Sequence, residues 1–286
     1  MSAWKDASAQ APVRGLVRRA ASTDVFRTAR FAPGPALAPW VEYLWTVDWD
    51  RGDAPPVESQ VISFPALHLT AESGTPGELR HGHPMPATLV HGAVSRVFRV
   101  RLGGCGWVVG ARFHPDGARS WTGTDAAVLR DRALPTSTLP GPLPADLHSA
   151  LVGLPPEQRA MAFAGHLAAS CPGEPGDDPA LTVLVRRMQA DPGLTRVEQL
   201  AELAGCSPRT LQRRFRRHLG VSPKWVLARF RLQEAALALE QDPDVDLAEL
   251  AVRLGWYDQA HLTNDLRRML GETPARYAAR AQDRAR

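Results

Sequence analysis

The spacing of apolar residues changes part-way along this chain, and the change divides it into two textures. From about Phe26 to Leu134 apolar residues come in short runs: Val41–Trp49, Val57–Phe64, Ala66–Thr70, Ser95–Leu102 and Trp107–Phe113. Gly and Pro clusters part these runs, which predicts short strands joined by turns. The segment RVFRVRL at 96–102 alternates apolar and basic residues, as a strand with one wet face does. Several such strands at close spacing predict a barrel- or sandwich-like domain. Residues 145–170 change to helical spacing, with Leu147, Leu151, Met161, Phe163 and Leu167 as the apolar positions and a break at Pro155-Pro156.

After Pro179 the period is helical throughout. Leu181, Leu184, Val185 and Met188 lie at i, i+3, i+4 and i+7, one face of a helix that stops at Asp191-Pro192-Gly193. Thr195 with Glu198 reads as a capping box for a helix that buries Val197, Leu200, Leu203 and Ala204 and ends at Gly205. Ser207-Pro208 supplies an N-cap and a first-turn proline for the next helix, closed by Gly220. Ser222-Pro223 opens a longer one, to about Glu240. Asp246 with Glu249 then starts a second copy of the pattern, with Leu247, Leu250, Ala251 and Leu254 apolar and Gly255 at the turn.

The copy is close enough to align. Leu211 matches Leu262, Phe215 matches Leu266, Arg216-Arg217 match Arg267-Arg268, Leu219-Gly220 match Leu270-Gly271 and Pro223 matches Pro274, each offset by 51 positions. Gly205 and Gly255 are offset by 50, so the second turn is one residue longer. Helix, short Gly-containing turn and helix is the helix-turn-helix pattern. Two recognition helices held by one linker helix can enter successive major grooves roughly 34 Å apart.

The expected fold is therefore a multi-domain α+β chain. It has a β-rich, barrel- or sandwich-like N-terminal domain with some helix, and an all-α C-terminal domain with two helix-turn-helix units joined by a linker helix. The expected organisation is a flexible arm over 1–25, an effector or dimerisation domain over 26–170, a linker over 171–179 and the DNA-binding domain over 180–280. The segment CPGEPGDDP, with three prolines, two glycines and three acids, has little to bury and marks the linker.

Charge sharpens this picture. The net charge is only +4, but residues 1–178 hold 16 basic and 17 acidic side chains against 18 and 13 in residues 179–286. The excess lies wholly in the helical part, which points to nucleic acid as partner. Between Cys206 and Arg231 there are eight Lys and Arg and no acid. On the third helix of that part, Leu211, Phe215 and Leu219 take the buried stripe, which turns Arg209, Gln212, Arg213 and Arg216 outward. Arg pairs with guanine O6 and N7 in a bidentate fashion, and Gln does the same with adenine N6 and N7.

On these residues a resemblance can be stated. LAELAGCSPRTLQRRFRRHLGVSP followed by LAELAVRLGWYDQAHLTNDLRRMLGETPARY resembles the DNA-binding domain of the AraC/XylS family of bacterial regulators. The resemblance spans about 179–280. It implies base contacts from Arg209, Gln212 and Arg213 in the first unit and from Gln259, Ala260, Thr263 and Asn264 in the second. Arg216, Arg217, Lys224, Arg267 and Arg268 are the expected phosphate contacts. The chain departs from the family pattern at Asn264, where relatives often carry Arg, and at Leu266, where they usually carry Phe. The segments PALAPWVEYLWTVDWD, SFPALHLT and GARFHPDGARSWTG resemble an uncharacterised β-rich domain found ahead of this DNA-binding domain in some relatives, which implies effector sensing or dimerisation.

Six of the eight tryptophans precede residue 122. Trp45, Trp49, Trp107 and His68 are the candidate lining of an effector pocket. His81 and His83, with His68, His91 and His114, raise a metal reading, but the Gly/Pro-flanked setting of His81 and His83 leads us to assign no metal and no cofactor. Cys105, Cys171 and Cys206 lack CxxC spacing and suit a reducing cytoplasm. Absence of GxSxG, P-loop and GxGxxG patterns argues against an enzyme. The expected partners are double-stranded promoter DNA, a small-molecule effector and RNA polymerase, with no membrane and with monomer and homodimer both open. The alternative is a metal- or small-molecule-binding barrel with residual enzymatic activity and an ancillary nucleic-acid-binding helical domain.

Overall fold

The computed structural model describes residues 26–61, 64–95 and 98–285, so the expected arm over 1–25 lies outside the described residues. The strands are β1 (Phe26–Phe31), β2 (Val41–Asp50), β3 (Val57–Val61), β4 (His68–Glu72), β5 (Leu79–Arg80), β6 (His83–Pro84), β7 (Ala87–His91), β8 (Phe98–Leu102), β9 (Cys105–Phe113) and β10 (Ala133–Pro135). Short helices α1 (Ala118–Thr122) and α2 (Ala126–Leu129) precede β10, and α3 (His148–Leu151) and α4 (Pro156–Ala169) follow it. The helical domain comprises α5 (Pro179–Ala190), α6 (Val197–Leu203), α7 (Pro208–Leu219), α8 (Pro223–Gln241), α9 (Leu247–Arg253), α10 (Gln259–Leu270) and α11 (Pro274–Ala285).

The β-rich half is neither a closed barrel nor a sandwich of two large sheets. Six strands form one antiparallel sheet in the order β1-β2-β9-β4-β7-β10, and β3 pairs with β8 in a separate ribbon. Helices cover one face of the sheet. Leu44, Leu69, Val109, Ala111 and Phe113 meet Phe163 and Leu167 of α4 there, with Trp121 and Leu129 in the same core. Met161, expected on the apolar stripe of that helix, is exposed, and Ala160 and Ala164 take the buried positions. Alternation along β2 and β9 sends Trp45 and Trp49 to the opposite face. Gly110 faces Trp45 across the strands, and a Cβ there would lie 2.6 Å from the indole. Only glycine admits that approach.

The helical half has two cores, one per repeat. Leu181, Leu200, Leu211, Phe215, Leu219, Val226 and Phe230 form the first, and Leu239, Leu250, Leu262, Leu266, Leu270 and Tyr277 are in the second. Helix α8 feeds both, which is why its apolar residues run round the helix instead of keeping to a stripe. Phe64 and Ala93 of the β-rich domain are built into the first core, so the two domains share apolar packing. Residues 171–178 are irregular, yet they are fastened: Trp40 Nε1 donates to the Glu174 carbonyl at 3.1 Å, and Asp178 caps α5 by accepting from Leu181 N.

One expected cap differs. The box read as Thr195–Glu198 is made one residue later, where Gln199 Oε1 accepts from Thr195 N at 3.0 Å and Arg196 N at 2.9 Å. Gln reaches back as well as Glu does, so the pattern alone could not choose between neighbours.

Candidate nucleic-acid interface

Each recognition helix is set by three local devices. Ser207 caps α7 by accepting from Thr210 N at 3.2 Å, and Asp258 caps α10 by accepting from His261 N at 2.7 Å. Turn residues Gly205 and Gly255 take φ of 59° and 80°, a left-handed conformation that costs glycine little. Gly220 and Gly271 close the helices. Residues 204–207 join α6 to α7 and residues 254–258 join α9 to α10, the extra residue the sequence offset predicted.

These devices put Leu211, Phe215 and Leu219 inward and leave Arg209, Gln212, Arg213 and Arg216 exposed on α7. On α10, Leu262, Leu266, Met269 and Leu270 are buried. Gln259, Ala260, Asn264, Arg267 and Arg268 are exposed there, Thr263 is half-buried, and Lys224 is exposed at the start of α8. Beside Asn264, Asp265 is occupied by Trp256, whose Nε1 donates to its carboxylate at 3.0 Å.

Not all of the eight basic residues between Cys206 and Arg231 serve this surface. Arg214 turns back and donates to both oxygens of Asp178, at 2.7 and 2.5 Å. Arg231 donates to the carbonyls of Leu254, Gly255 and Thr195 at 3.2–3.4 Å and lies over the Trp256 ring, tying the start of the first unit to the turn of the second. Arg229 is buried, which brings its pKa down to about 10, and its guanidinium lies over Trp225. Three of the eight are therefore structural. A count along the chain overstates the charge offered to a polyanion.

Residues 200–280 match the family described as a helix-turn-helix domain, and residues 29–135 match a domain of unknown function, DUF6597. An uncharacterised HTH-type transcriptional regulator of Haemophilus influenzae is 34% identical over 96 residues, 34% of this chain and 32% of its own. The HTH-type transcriptional regulator GlxA of Rhizobium meliloti is 33% identical over 102 residues, 34% of this chain and 30% of its own. The chain thus spans about a third of the length of these relatives. The solved DNA-binding domain of AdpA in complex with a target DNA is 34% identical, 38% of this chain matching 96% of that one at a TM-score of 0.34. The C-terminal domain is a helix-turn-helix domain.

The helix-turn-helix domain is clasped at the C-terminal half of α7. Helix α2 packs against α7, with the Ala126 carbonyl lying against Gly220. Arg217 is half-exposed and meets Asp177 at 3.0 Å and Asp125 at 3.9 Å, while Arg119 of α1 meets the same two acids. Sequence reading missed this clasp. The acids were visible in the linker and before α2, but only folding brings them to Arg217.

His218 is buried beside them. Burial lowers its pKa from the ordinary 6.5, Arg217 adds to that, and Asp177, Asp178 and Asp116 oppose without cancelling it. A folded-state pKa below the unfolded one means the unfolded chain takes the proton first as pH falls, so this contribution holds above about 6.5 and is lost below it. The urea midpoint is expected to drop between about pH 7 and about pH 5, and less steeply in His218→Gln. Identical slopes for the two proteins would remove His218 from the account.

The four expected pocket residues do not share a face. Trp45, Trp49 and His68 lie on the face away from α4, where Trp45 Nε1 donates to His68 Nδ1 at 3.2 Å and Trp49 Nε1 to the Gly103 carbonyl at 3.1 Å. Trp107 points to the helix side, under the Arg159 guanidinium of α4 and stacked on His148. It is one strand position out of phase with the others: its partner on β2 is Asp48, between Val47 and Trp49. Burial lowers the His68 pKa to about 3, helped by Arg112, so its ring is neutral and accepts from the indole. Among the described residues no helix is long and apolar enough to cross a membrane.

Proposed function

We propose that this chain is a cytoplasmic, non-enzymatic transcription regulator whose AraC-type domain reads promoter DNA and whose β-rich domain controls the reading in response to a small molecule. The observation that carries the first half is the exposed row Arg209, Gln212, Arg213 and Arg216 on a capped helix whose other face is core, with a second such helix after a shared linker. In this reading Arg209, Gln212 and Arg213, with Gln259, Ala260, Thr263 and Asn264, face base edges. Arg216, Lys224, Arg267 and Arg268 neutralise phosphates. Arg217 joins them when its acids release it.

The second half rests on the clasp. Asp125 and Asp177 compete with phosphate for Arg217, and α2 belongs to the domain that would receive the signal. A ligand that moves α2 would change both the charge and the freedom of α7. RNA polymerase contact, and binding as monomer or homodimer, belong to the same reading.

The test is selection of bound sequences from random duplex DNA, followed by affinity on winning and scrambled sites at several salt concentrations. Two half-elements about one helical turn apart, bound far more tightly than scrambled DNA, are expected. Equal and steeply salt-dependent binding to both would leave only a basic surface.

A further inference from the structure

We infer that Glu72, His81 and His91 form a binding site for a divalent first-row transition metal such as zinc or iron. The three side chains come from β4, from the turn between β5 and β6, and from β7. Their donor atoms all lie within 4.8 Å of one another. His91 Nε2 is 2.9 Å from Glu72 Oε1, and His81 Nε2 is 3.6 Å from Oε2. Two imidazoles and one carboxylate are the donor set that binds zinc or non-haem iron with positions left open for a further ligand.

The surroundings fit this role better than a purely structural one. Glu72 is buried on the central strand β4, and Thr70 Oγ1 already donates to its Oε1 at 2.8 Å. Arg80 is anchored elsewhere, on Glu78 Oε1 at 2.9 Å and the Ser73 carbonyl at 3.1 Å, and reaches Glu72 Oε2 only at 3.5 Å. That leaves the guanidinium beside Oε2 as an outer-shell partner that orients the carboxylate, with Oε1 facing His91. Aromatic packing holds the imidazoles: His81 stacks on Phe98 at 5.1 Å and meets His91 edge-on at 4.8 Å. A buried carboxylate served by Thr70 and Arg80 does not need two imidazoles brought from a turn and a separate strand, and a metal ion does.

The other three histidines of the metal reading are engaged elsewhere. His68 Nδ1 accepts from Trp45, His83 Nε2 bonds the Ala133 carbonyl at 3.0 Å, and His114 Nε2 bonds the Ala38 carbonyl at 3.2 Å. The His-x-His pair that first raised a metal reading is thus split, one member entering the cluster and the other not. The inference stands on the β-rich domain alone and is independent of the DNA-binding reading.

Full-length protein stripped with a chelator would be titrated with Co²⁺, read by its visible absorption, and with Zn²⁺ against a chromophoric competitor. One equivalent is expected to bind and to raise the thermal midpoint. His81→Ala and His91→Ala should each weaken binding by more than about tenfold, and His83→Ala should leave it unchanged. Circular dichroism and retained DNA binding would confirm that the variants are folded, and His81, at a turn, is the safer of the two to alter. Uptake unaffected by His81→Ala and His91→Ala, or no uptake by the parent protein, would overturn the assignment.

Discussion

Arg213→Ala is expected to weaken binding to the preferred DNA site by about 1–3 kcal/mol and to relax the preference at a single base pair. Arg213 sits on the exposed face of α7, two positions from Leu211 and Phe215, which fix the helix in the first core. A bidentate Arg–guanine pair is lost with the side chain, and no group among the described residues is left unsatisfied by its removal. Its neighbour makes the contrast. Arg214→Ala would strand the Asp178 carboxylate, which accepts two bonds from that guanidinium, so its effect should appear in stability before it appears in DNA binding. The discriminating measurement compares Arg213→Ala on the selected and on scrambled duplexes. Equal loss on both would show that Arg213 touches phosphate only.

Phe215→Ala is expected to cost about 3–5 kcal/mol of stability, enough to leave much of the first helix-turn-helix unit unfolded. The ring is fully buried, and the core around it joins α5, α6, α7 and α8. Removing it takes away the transfer energy of a phenyl group and leaves a cavity that four helices cannot all close. Because Phe64 and Ala93 belong to the same core, the loss should also loosen the β-rich domain's hold on α7. Urea unfolding followed by far-ultraviolet circular dichroism would measure it. A loss below about 1 kcal/mol would mean that the core repacks around the gap. The second unit carries Leu266 at the matching position, buried in a core that also holds Trp256, and there the smaller side chain is accommodated.

The helical half was legible because its signals are local. Ser207-Pro208, Ser222-Pro223, Asp246, Asp258 and the four glycines act within a turn of where they stand, and the 51-residue repeat doubled every observation. The β-rich half was legible only as texture. Strand β7 and the edge strands β1 and β10 escaped notice because their partners, not their own residues, make them strands: Leu89 pairs with Thr70 on one side and with Pro135 on the other. The pocket reading grouped Trp107 with Trp45 and Trp49 because composition records which residues are present and not which way a strand turns them.

The sequence by itself determined the tandem helix-turn-helix units, the caps of the two recognition helices and the turn lengths, and the outward row of Arg209, Gln212, Arg213 and Arg216, since each depends on contacts within about four residues. Only the tertiary structure decided which arginines are spoken for, where Arg217 finds its acids, and which histidines meet Glu72. Arg217 lies 92 positions from Asp125 and 40 from Asp177, and Glu72 lies 9 from His81 and 19 from His91, and no local period encodes these pairings. They are settled by how the strands register and by where α2 and the 171–178 segment meet α7.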